Sequence, residues 1–276
     1  MRQTTLVGAI LALTMVLVVA VPALAGAPFG GDDTGCVPAD KVANVCSQRM
    51  AQALSKLDAK VIKCHLVQAG QAFKTGHSAP GFDNAEENCE QGPSNTSARA
   101  KFEAVLTKYA TTCDPTLIAN TRARGEVILA DQSNPESLDA LNGSFFCDDG
   151  SGLTIAEPGG DDAGFIPPAV DDYKCSVAVA KAYSKLLVTV YKCHYKAAKA
   201  ALLAKPFDEE ACEDNNPLSP LKSALARYNA QVQKYIGLGG CPSCLADPSN
   251  APAALALGAN AVATLDAQNA EIFPCP

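Results

Sequence analysis

Residues 46–65 read CSQRMAQALSKLDAKVIKCH, and residues 175–194 read CSVAVAKAYSKLLVTVYKCH. Aligned without a gap, the two stretches agree at 11 of 20 positions, including both cysteines and the final Lys-Cys-His. Apolar side chains recur in each stretch at the three- and four-residue spacing of one helix face. The chain therefore contains one long amphipathic helix twice, and the rest of the sequence can be placed relative to it.

Residues 1–25 are predicted to be a secretory signal peptide. Arg2 is their only charge, an apolar run covers residues 6–21, and residues 23–25 (ALA) have the small-x-small pattern of a cleavage site. The apolar run is short for a membrane span and stops at Pro22. The protein is therefore expected to be secreted, in the periplasm or outside the cell, with no membrane attachment after signal removal.

The composition of the remaining chain restricts its partners. After residue 25, 21 Lys and Arg stand against 29 Asp and Glu, a net charge of about −8. An acidic surface disfavours nucleic acid as a partner. All twelve cysteines lie after residue 25, and an even number in an exported protein is typical of disulfide bonds. A partner, unknown from the sequence, would be a protein or a cell-surface component.

The duplication extends beyond the helix. Residues 30–38 (GGDDTGCVP) align with residues 159–167 (GGDDAGFIP) at the same offset of 129 residues as the helices. We predict a first repeat over 26–147, a Gly/Asp/Pro-rich linker over 148–168 and a second repeat over 169–276. Three further matches support this division: 82–90 (FDNAEENCE) with 207–213 (FDEEACE), 97–109 with 223–235, and 138–147 with 265–275.

Each repeat is predicted to be helical. In the first repeat a long helix is expected over about 41–70 and a second over about 97–112, and in the second repeat an alanine-rich third helix is expected over about 251–270. Its counterpart within 120–141 is less regular because it contains a glycine and a proline. No useful strand pattern appears, so the predicted class is all-α: two tandem repeats, each a disulfide-stapled antiparallel helical hairpin plus a further helix. Whether the repeats dock into one bundle or stay separate is left open.

Helix geometry limits how the cysteines pair. Cys46 and Cys64 lie 18 residues apart on one helix, roughly 27 Å, whereas a disulfide needs Cα atoms within about 7 Å. Each must therefore bond to the neighbouring helix of an antiparallel hairpin. The bonds that this hairpin predicts, with their repetition, are Cys46–Cys113, Cys64–Cys89, Cys175–Cys241 and Cys193–Cys212.

Four cysteines remain after these bonds, and the sequence leaves their pairing open. Bonds within each repeat would be Cys36–Cys147 and Cys244–Cys275, which we favour. Bonds across the repeats, Cys147–Cys275 with Cys36–Cys244, also satisfy the count. In either case the cysteines act as cross-links, each stabilising the fold by a few kcal/mol.

Two histidines recur at matching positions. His65 and His194 each follow a cysteine, and His77 is the only other histidine. They could be metal or haem ligands, one in each repeat. The interpretation we favour is a solvent-facing histidine near a helix C-terminus, where its charge suits the helix dipole. No Cys-x-x-Cys-His or His-Glu-x-x-His pattern is present, so no metal and no cofactor is predicted.

Other motifs are assigned structural roles. Cys241-Pro-Ser-Cys244 has the form of a redox motif, but a thioredoxin-type site needs a preceding strand. The acidic residues at 32–33, 161–162 and 148–152 lack the spacing of a calcium loop and are interpreted as solvated linker. No catalytic motif is found, and the protein is not predicted to be an enzyme.

Acidic clusters precede the second predicted helix of each repeat. Residues 86–90 (EENCE) and 209–213 (EEACE) carry three glutamates each. Negative charge is favourable at a helix start. They could also serve as paired carboxylates, although the sequence gives no distance between them.

Three motifs of the second repeat, KCHYKAA at 192–198, FDEEACE at 207–213 and CPSC at 241–244, resemble a group of exported bacterial proteins built from cysteine-containing helical repeats. The match is looser in the first repeat, where Leu66 and Val67 replace Tyr-Lys. The resemblance covers most of the chain after the signal segment. It implies an exported helical repeat protein and brings no activity, ligand or active site.

These patterns together predict an exported, disulfide-stabilised helical repeat protein with a binding or structural role. The alternative is a metal- or haem-associated protein that uses His65 and His194.

Overall fold

The computed structural model describes residues 26–76, 81–147, 152–158, 160–214, 216, 219, 222–247, 249 and 253–275. The predicted signal peptide, residues 1–25, lies outside them. Helices dominate the described residues and the strands are short pairs, so the predicted all-α class is confirmed. Within the described ranges, no helix combines the length and the apolar character that a membrane span needs.

Two long helices form the centre of the molecule. Helix α1 covers Lys41–Thr75 and helix α6 covers Val170–Leu202. They pack antiparallel, since Phe73 near the end of α1 stacks on Tyr173 near the start of α6, with 4.2 Å between ring centroids. The two halves of the chain (26–147 and 169–276) are therefore docked and not separate.

Shorter helices follow each long helix. In the first half these are α2 (Phe82–Glu90), α3 (Ala98–Tyr109), α4 (Pro115–Ile128) and α5 (Leu138–Phe145). In the second half they are α7 (Glu209–Glu213), α8 (Ala224–Gly237), α9 (Ser243–Ala246) and α10 (Ala254–Ile272). The third predicted helix is thus continuous as α10 but divided into α4 and α5 in the first half. Pro135 lies in this break, where it cannot continue a helix.

The predicted apolar stripe of α1 is buried, and so is a second row of the same helix. The second row consists of Ala51, Ser55, Asp58 and Ile62. It is buried because α1 packs against α2, α3, α4 and α5 as well as against α6. Sequence periodicity described one face of α1, whereas the fold covers two.

Short antiparallel strand pairs precede both long helices. Strands β1 (Pro28–Gly30) and β2 (Asp33–Cys36) form one pair, and β3 (Leu153–Thr154) and β4 (Phe165–Ile166) form the other. Strand β2 contacts the end of α10, where Cys36 N donates to Phe273 O at 2.9 Å. Strand β4 contacts the end of α5 in the same way, where Phe165 N donates to Phe146 O at 2.6 Å. Each segment that precedes a long helix therefore packs on the last helix of the opposite half.

Six disulfides join all twelve cysteines, each of which lies in a described range. The structure contains the four bonds that the hairpin geometry predicted, which are Cys46–Cys113, Cys64–Cys89, Cys175–Cys241 and Cys193–Cys212.

The other two disulfides differ from the prediction. The structure has Cys36–Cys275 and Cys147–Cys244, so the favoured pairs Cys36–Cys147 and Cys244–Cys275 are wrong. The alternative pairs Cys147–Cys275 and Cys36–Cys244 are wrong as well. The physical reason is the position of β2, which brings Cys36 to the residues after α10 and not to its own half.

Peptide mapping tests these two bonds. Digestion of the non-reduced protein should yield one linked peptide containing Cys36 and Cys275 and another containing Cys147 and Cys244. Both disappear on reduction. A linked peptide joining Cys36 to Cys147 would show that β2 does not pack on α10.

Glycines allow close helix contacts at matching places in the two halves. In α4, Gly125 lies against the ring of Phe102 in α3, and in α10, Gly258 lies against the ring of Tyr228 in α8. A Cβ atom added at either glycine would overlap the aromatic ring. Close packing of these helix pairs therefore requires glycine at both positions.

Replacement of Gly125 by alanine tests this contact. We expect Gly125→Ala to lower the free energy of unfolding by about 1–3 kcal/mol, because Phe102 must leave its position in the core. Denaturant titration would measure the change. The matched control is Gly237→Ala in α8, where an added Cβ meets nothing within 4 Å; it should leave stability unchanged or raise it by up to about 1 kcal/mol. Equal effects of the two substitutions would contradict the packing.

Candidate metal centres

A buried histidine is surrounded by four carboxylates in the first half of the protein. His65 Nε2 lies 3.0 Å from Glu90 Oε1, 3.2 Å from Asp139 Oδ1, 3.2 Å from Asp162 Oδ1 and 3.7 Å from Glu86 Oε1. All five side chains are at most 3% exposed. These five residues are called the first cluster.

The second half contains the same arrangement. His194 Nε2 lies 3.0 Å from Glu213 Oε1, 3.1 Å from Asp266 Oδ1, 3.5 Å from Glu209 Oε1 and 3.6 Å from Asp33 Oδ1. Glu209 is 13% exposed and the other four side chains are at most 4% exposed. These residues form the second cluster. Each occupies the position that matches a member of the first cluster in the repeated sequence.

Short helices place the glutamates. Glu86 and Glu90 lie four residues apart on α2, so both side chains project from one face. Glu209 and Glu213 have the same spacing on α7. The acidic motifs at 86–90 and 209–213 therefore direct two carboxylates each toward a histidine of a long helix.

Disulfides fix these short helices next to the histidines. Cys64 precedes His65 and bonds Cys89, which precedes Glu90. In the second half, Cys193 precedes His194 and bonds Cys212, which in turn precedes Glu213. A covalent bond one residue away from both partners limits how far the imidazole and the carboxylate can separate.

One aspartate of each cluster comes from the strand segment before a long helix. Asp33 belongs to β2 and reaches the second cluster, while Asp162 lies between β3 and β4 and reaches the first. Amide side chains hold both: Asn269 donates to Asp33 Oδ1 at 2.9 Å, and Gln68 donates to Asp162 Oδ2. The side chains of Asp33 and Asp162 are 1% and 2% exposed, so their interpretation as solvated linker is wrong.

Hydrogen bonds within the protein do not satisfy these clusters. His65 Nε2 faces Asp139 Oδ1, and His194 Nε2 faces Asp266 Oδ1. One ring nitrogen carries at most one proton, which cannot serve four carboxylates. With every carboxyl ionised, the buried oxygens without a hydrogen-bond partner are Glu86 Oε1, Glu90 Oε1 and Oε2, and Asp162 Oδ1 in the first cluster, and Asp33 Oδ2, Glu209 Oε1 and Glu213 Oε1 in the second. Without a metal ion, a proton shared by Glu86 and Glu90, and another shared by Glu209 and Glu213, would pair some of these oxygens.

The pKa values of the clustered side chains are shifted, because several negative charges in a buried place repel one another. Burial, together with the neighbouring Glu90, raises the pKa of Glu86 to about 11. Burial and the neighbouring Glu213 raise the pKa of Glu209 to about 11. Burial opposes a charge on His65, but Glu90 and the aspartates outweigh it and raise the pKa of His65 well above its ordinary value. Among the described residues, no lysine or arginine forms an ion pair with either cluster.

A metal ion would satisfy the same atoms. Ligand atoms of His194, Glu209, Glu213 and Asp266 all lie within 4.8 Å of one another, and so do those of His65, Glu90 and Asp139. Donors bound to one ion at about 2.1 Å lie about 3.0–3.4 Å apart. Most of the nitrogen–oxygen distances of both clusters, 3.0–3.7 Å, fall in or near that range.

More carboxylates lie on the solvent side of each cluster. Glu87 and Asp161 lie next to Asp139, and the cleft of about 390 Å³ at the surface is lined by both. Glu210 is paired with Asp32 at the second cluster, and a cavity of about 400 Å³ is lined by Glu210, Glu209 and Asp33. Burial and Asp161 raise the pKa of Glu87 to about 8. The second cavity therefore reaches two members of its cluster, whereas the first cleft is lined by acidic residues that lie next to Asp139.

The structure changes the interpretation of several sequence motifs. His65 and His194 are 2% and 1% exposed, so their placement as solvent-facing residues is wrong. The carboxylates that enclose them belong to other elements of the fold, which cover this end of each long helix. His77 and residues 148–151 lie outside the described residues. Cys241 and Cys244 bond Cys175 and Cys147 and not each other, in agreement with a structural use.

The sequence analysis assigned no role to two aspartates of the clusters, Asp139 and Asp266, and interpreted the other two, Asp33 and Asp162, as linker. Asp139 and Asp266 lie in matching Leu-Asp-Ala stretches, and Asp33 and Asp162 lie in matching Gly-Gly-Asp-Asp stretches. Their identity in both halves was a usable signal, since polar residues retained by both copies of a duplicated chain point to a shared role.

No family model, curated protein or solved structure matches this chain.

The raised pKa values predict a pH dependence of stability. Glutamate has an ordinary pKa of 4.5, whereas Glu86 and Glu209 titrate near 11 in the folded protein, so the folded state binds more protons between these values. For protein freed of metal by a chelator, the free energy of unfolding should therefore fall as pH rises from about 5 to about 9. Urea titrations at several pH values would measure it.

Substitution of the two glutamates tests whether they cause the pH dependence of the free energy of unfolding. The double variant Glu86→Gln/Glu209→Gln should show a flatter profile, because two of the groups that take up protons on folding are gone. Glu136→Gln, at a side chain that is 59% exposed, should keep the original slope. Stability that rises with pH in the chelated protein would contradict the assignment of shared protons to the clusters.

Proposed function

We propose that this protein is an exported, disulfide-stabilised metal-binding protein that holds one metal ion in each of the two clusters. The observation that carries the proposal is one imidazole nitrogen facing four buried carboxylate oxygens, twice in one chain. A carboxylate is costly to bury without a counter-charge. A cation bound among the five side chains supplies that charge, and the unpaired oxygens become its ligands.

Export is the second part of the proposal. Six disulfides with no free thiol are typical of proteins from oxidising compartments. The predicted signal peptide and the resemblance to exported bacterial helical repeat proteins support the same location. In this compartment the cysteines are cross-links and are not available as metal ligands, which leaves the histidine and carboxylates as the binding groups.

The proposed metal sites specify what the predicted binding role would be: the protein would bind metal ions. Each site draws its ligands from a long helix, a short helix, a terminal helix and a strand segment, so a bound ion would hold four elements together. The tandem repeat accounts for two sites of the same composition. A haem group does not suit the clusters, because the four carboxylates converge on the one imidazole nitrogen that would have to face an iron porphyrin.

Elemental analysis tests the proposal. Protein isolated from an oxidising compartment, or reconstituted after chelation, should contain two tightly bound ions per chain. His65→Gln and His194→Gln should each retain one, and the double variant none, since each substitution removes the only nitrogen ligand of a cluster.

Glu136→Gln provides the matched control, because Glu136 is exposed and pairs with Arg124 away from both clusters. It should retain two ions. Circular dichroism should show the same helix content for all variants. A wild-type protein that neither carries nor takes up metal would refute the proposed function and leave the clusters as proton-sharing carboxylates.

A further inference from the structure

The ligand set of the clusters restricts which ion they bind; this inference rests on the proposed function. Each cluster offers one imidazole nitrogen and four carboxylate oxygens. All twelve cysteines are in disulfides, so no thiolate is available. Soft ions such as Cu(I) select thiolate or thioether ligands, whereas carboxylates suit hard ions.

The number of ligands and the ion–ligand distances restrict the choice of metal ion further. Four carboxylate oxygens lie within 3.7 Å of each imidazole nitrogen, so a cluster has one donor more than the four ligands of a tetrahedral Zn²⁺ site. Ca²⁺ takes six to eight oxygen ligands at about 2.3–2.6 Å and does not favour imidazole, while Mg²⁺ usually keeps several of its waters. The buried positions of both histidines, at 2% and 1% exposure, do not suit an ion that stays largely hydrated.

Charge decides between the remaining ions. When all four carboxylates of a cluster are ionised, they bring four negative charges to a buried place, and among the described residues no lysine or arginine forms an ion pair with them. A divalent ion would leave two negative charges and a trivalent ion only one. Because Coulomb energies are large at low dielectric, the trivalent ion gains more from each carboxylate.

We infer that the two clusters are binding sites for ferric iron, a hard trivalent ion that accepts five or six nitrogen and oxygen ligands. Binding involves no change of oxidation state, because Fe(III) is taken up and held as Fe(III). The acidic residues beside the clusters, Glu87 and Asp161 next to Asp139 and the pair Glu210 and Asp32 at the second cluster, would attract a cation from solvent.

Competition experiments test the choice of ion. Chelated protein is given Fe(III), or Ga(III) as a redox-inert ion of equal charge, each as the nitrilotriacetate complex, together with an excess of Zn(II), Mn(II) or Ca(II). After dialysis, we expect two Fe(III) or Ga(III) per chain and a high-spin ferric signal in electron paramagnetic resonance. His65→Gln/His194→Gln should lose both, which excludes iron bound at surface carboxylates.

A charge variant tests the reason for the preference. Glu90→Gln/Glu213→Gln removes one negative charge from each cluster with little change in shape. It should reduce the preference for Ga(III) over Zn(II) by about tenfold or more, whereas the exposed Glu136→Gln should leave the preference unchanged.

The outcomes separate the two proposals. Retention of Zn(II), Mn(II) or Ca(II) in place of Fe(III) and Ga(III) at the histidine-dependent sites would overturn the ferric assignment and keep the metal-binding function. A preference that Glu90→Gln/Glu213→Gln does not change would overturn the charge argument. Failure to retain any ion would refute both.

Discussion

Two imidazole rings, each enclosed by four carboxylates in the protein interior, set the conditions that the rest of the structure meets. Such a group of charges is unfavourable in a low-dielectric core unless a cation or shared protons compensate it. The fold therefore has to bring five side chains from four chain segments to one point and hold them there against mutual repulsion. The positions of the cross-links follow from this requirement, since Cys64–Cys89 and Cys193–Cys212 lie directly beside the histidines and one glutamate of each cluster.

The helical hairpin could be predicted because its causes are local. Apolar spacing in residues 46–65 and 175–194 described the buried face of α1 and α6, and the helix rise alone excluded a Cys46–Cys64 bond. The four hairpin disulfides followed from that geometry. The break between α4 and α5 had a local signal too, because Pro135 marked the irregular third helix.

The clusters could not be predicted in the same way, because their causes are not local. The favoured position of His65 near a helix end took only the helix dipole into account, whereas the carboxylates that surround it come from residues 86, 90, 139 and 162. The treatment of Asp33 and Asp162 as linker failed for a related reason. It considered only the local spacing of the acidic residues, while in the structure the strand that contains Asp33 packs on α10, and the segment that contains Asp162 bonds to α5 through Ala163 N and Asp139 O.

The packing of strand β2 on α10, and of the segment that contains β3 and β4 on α5, explains why the two halves differ in their cysteines. Asp162 lies 23 residues after Asp139, so chain connectivity keeps the first cluster together, and the position that matches Cys36 is Phe165. Asp33 has no such connection to Asp266, which lies 233 residues away. Cys36, three residues after Asp33, bonds Cys275 and supplies the missing covalent link. Closing so long a loop removes much entropy from the unfolded chain. Because Cys275 bonds Cys36, its counterpart Cys147 bonds Cys244 and links the end of α5 to the second half.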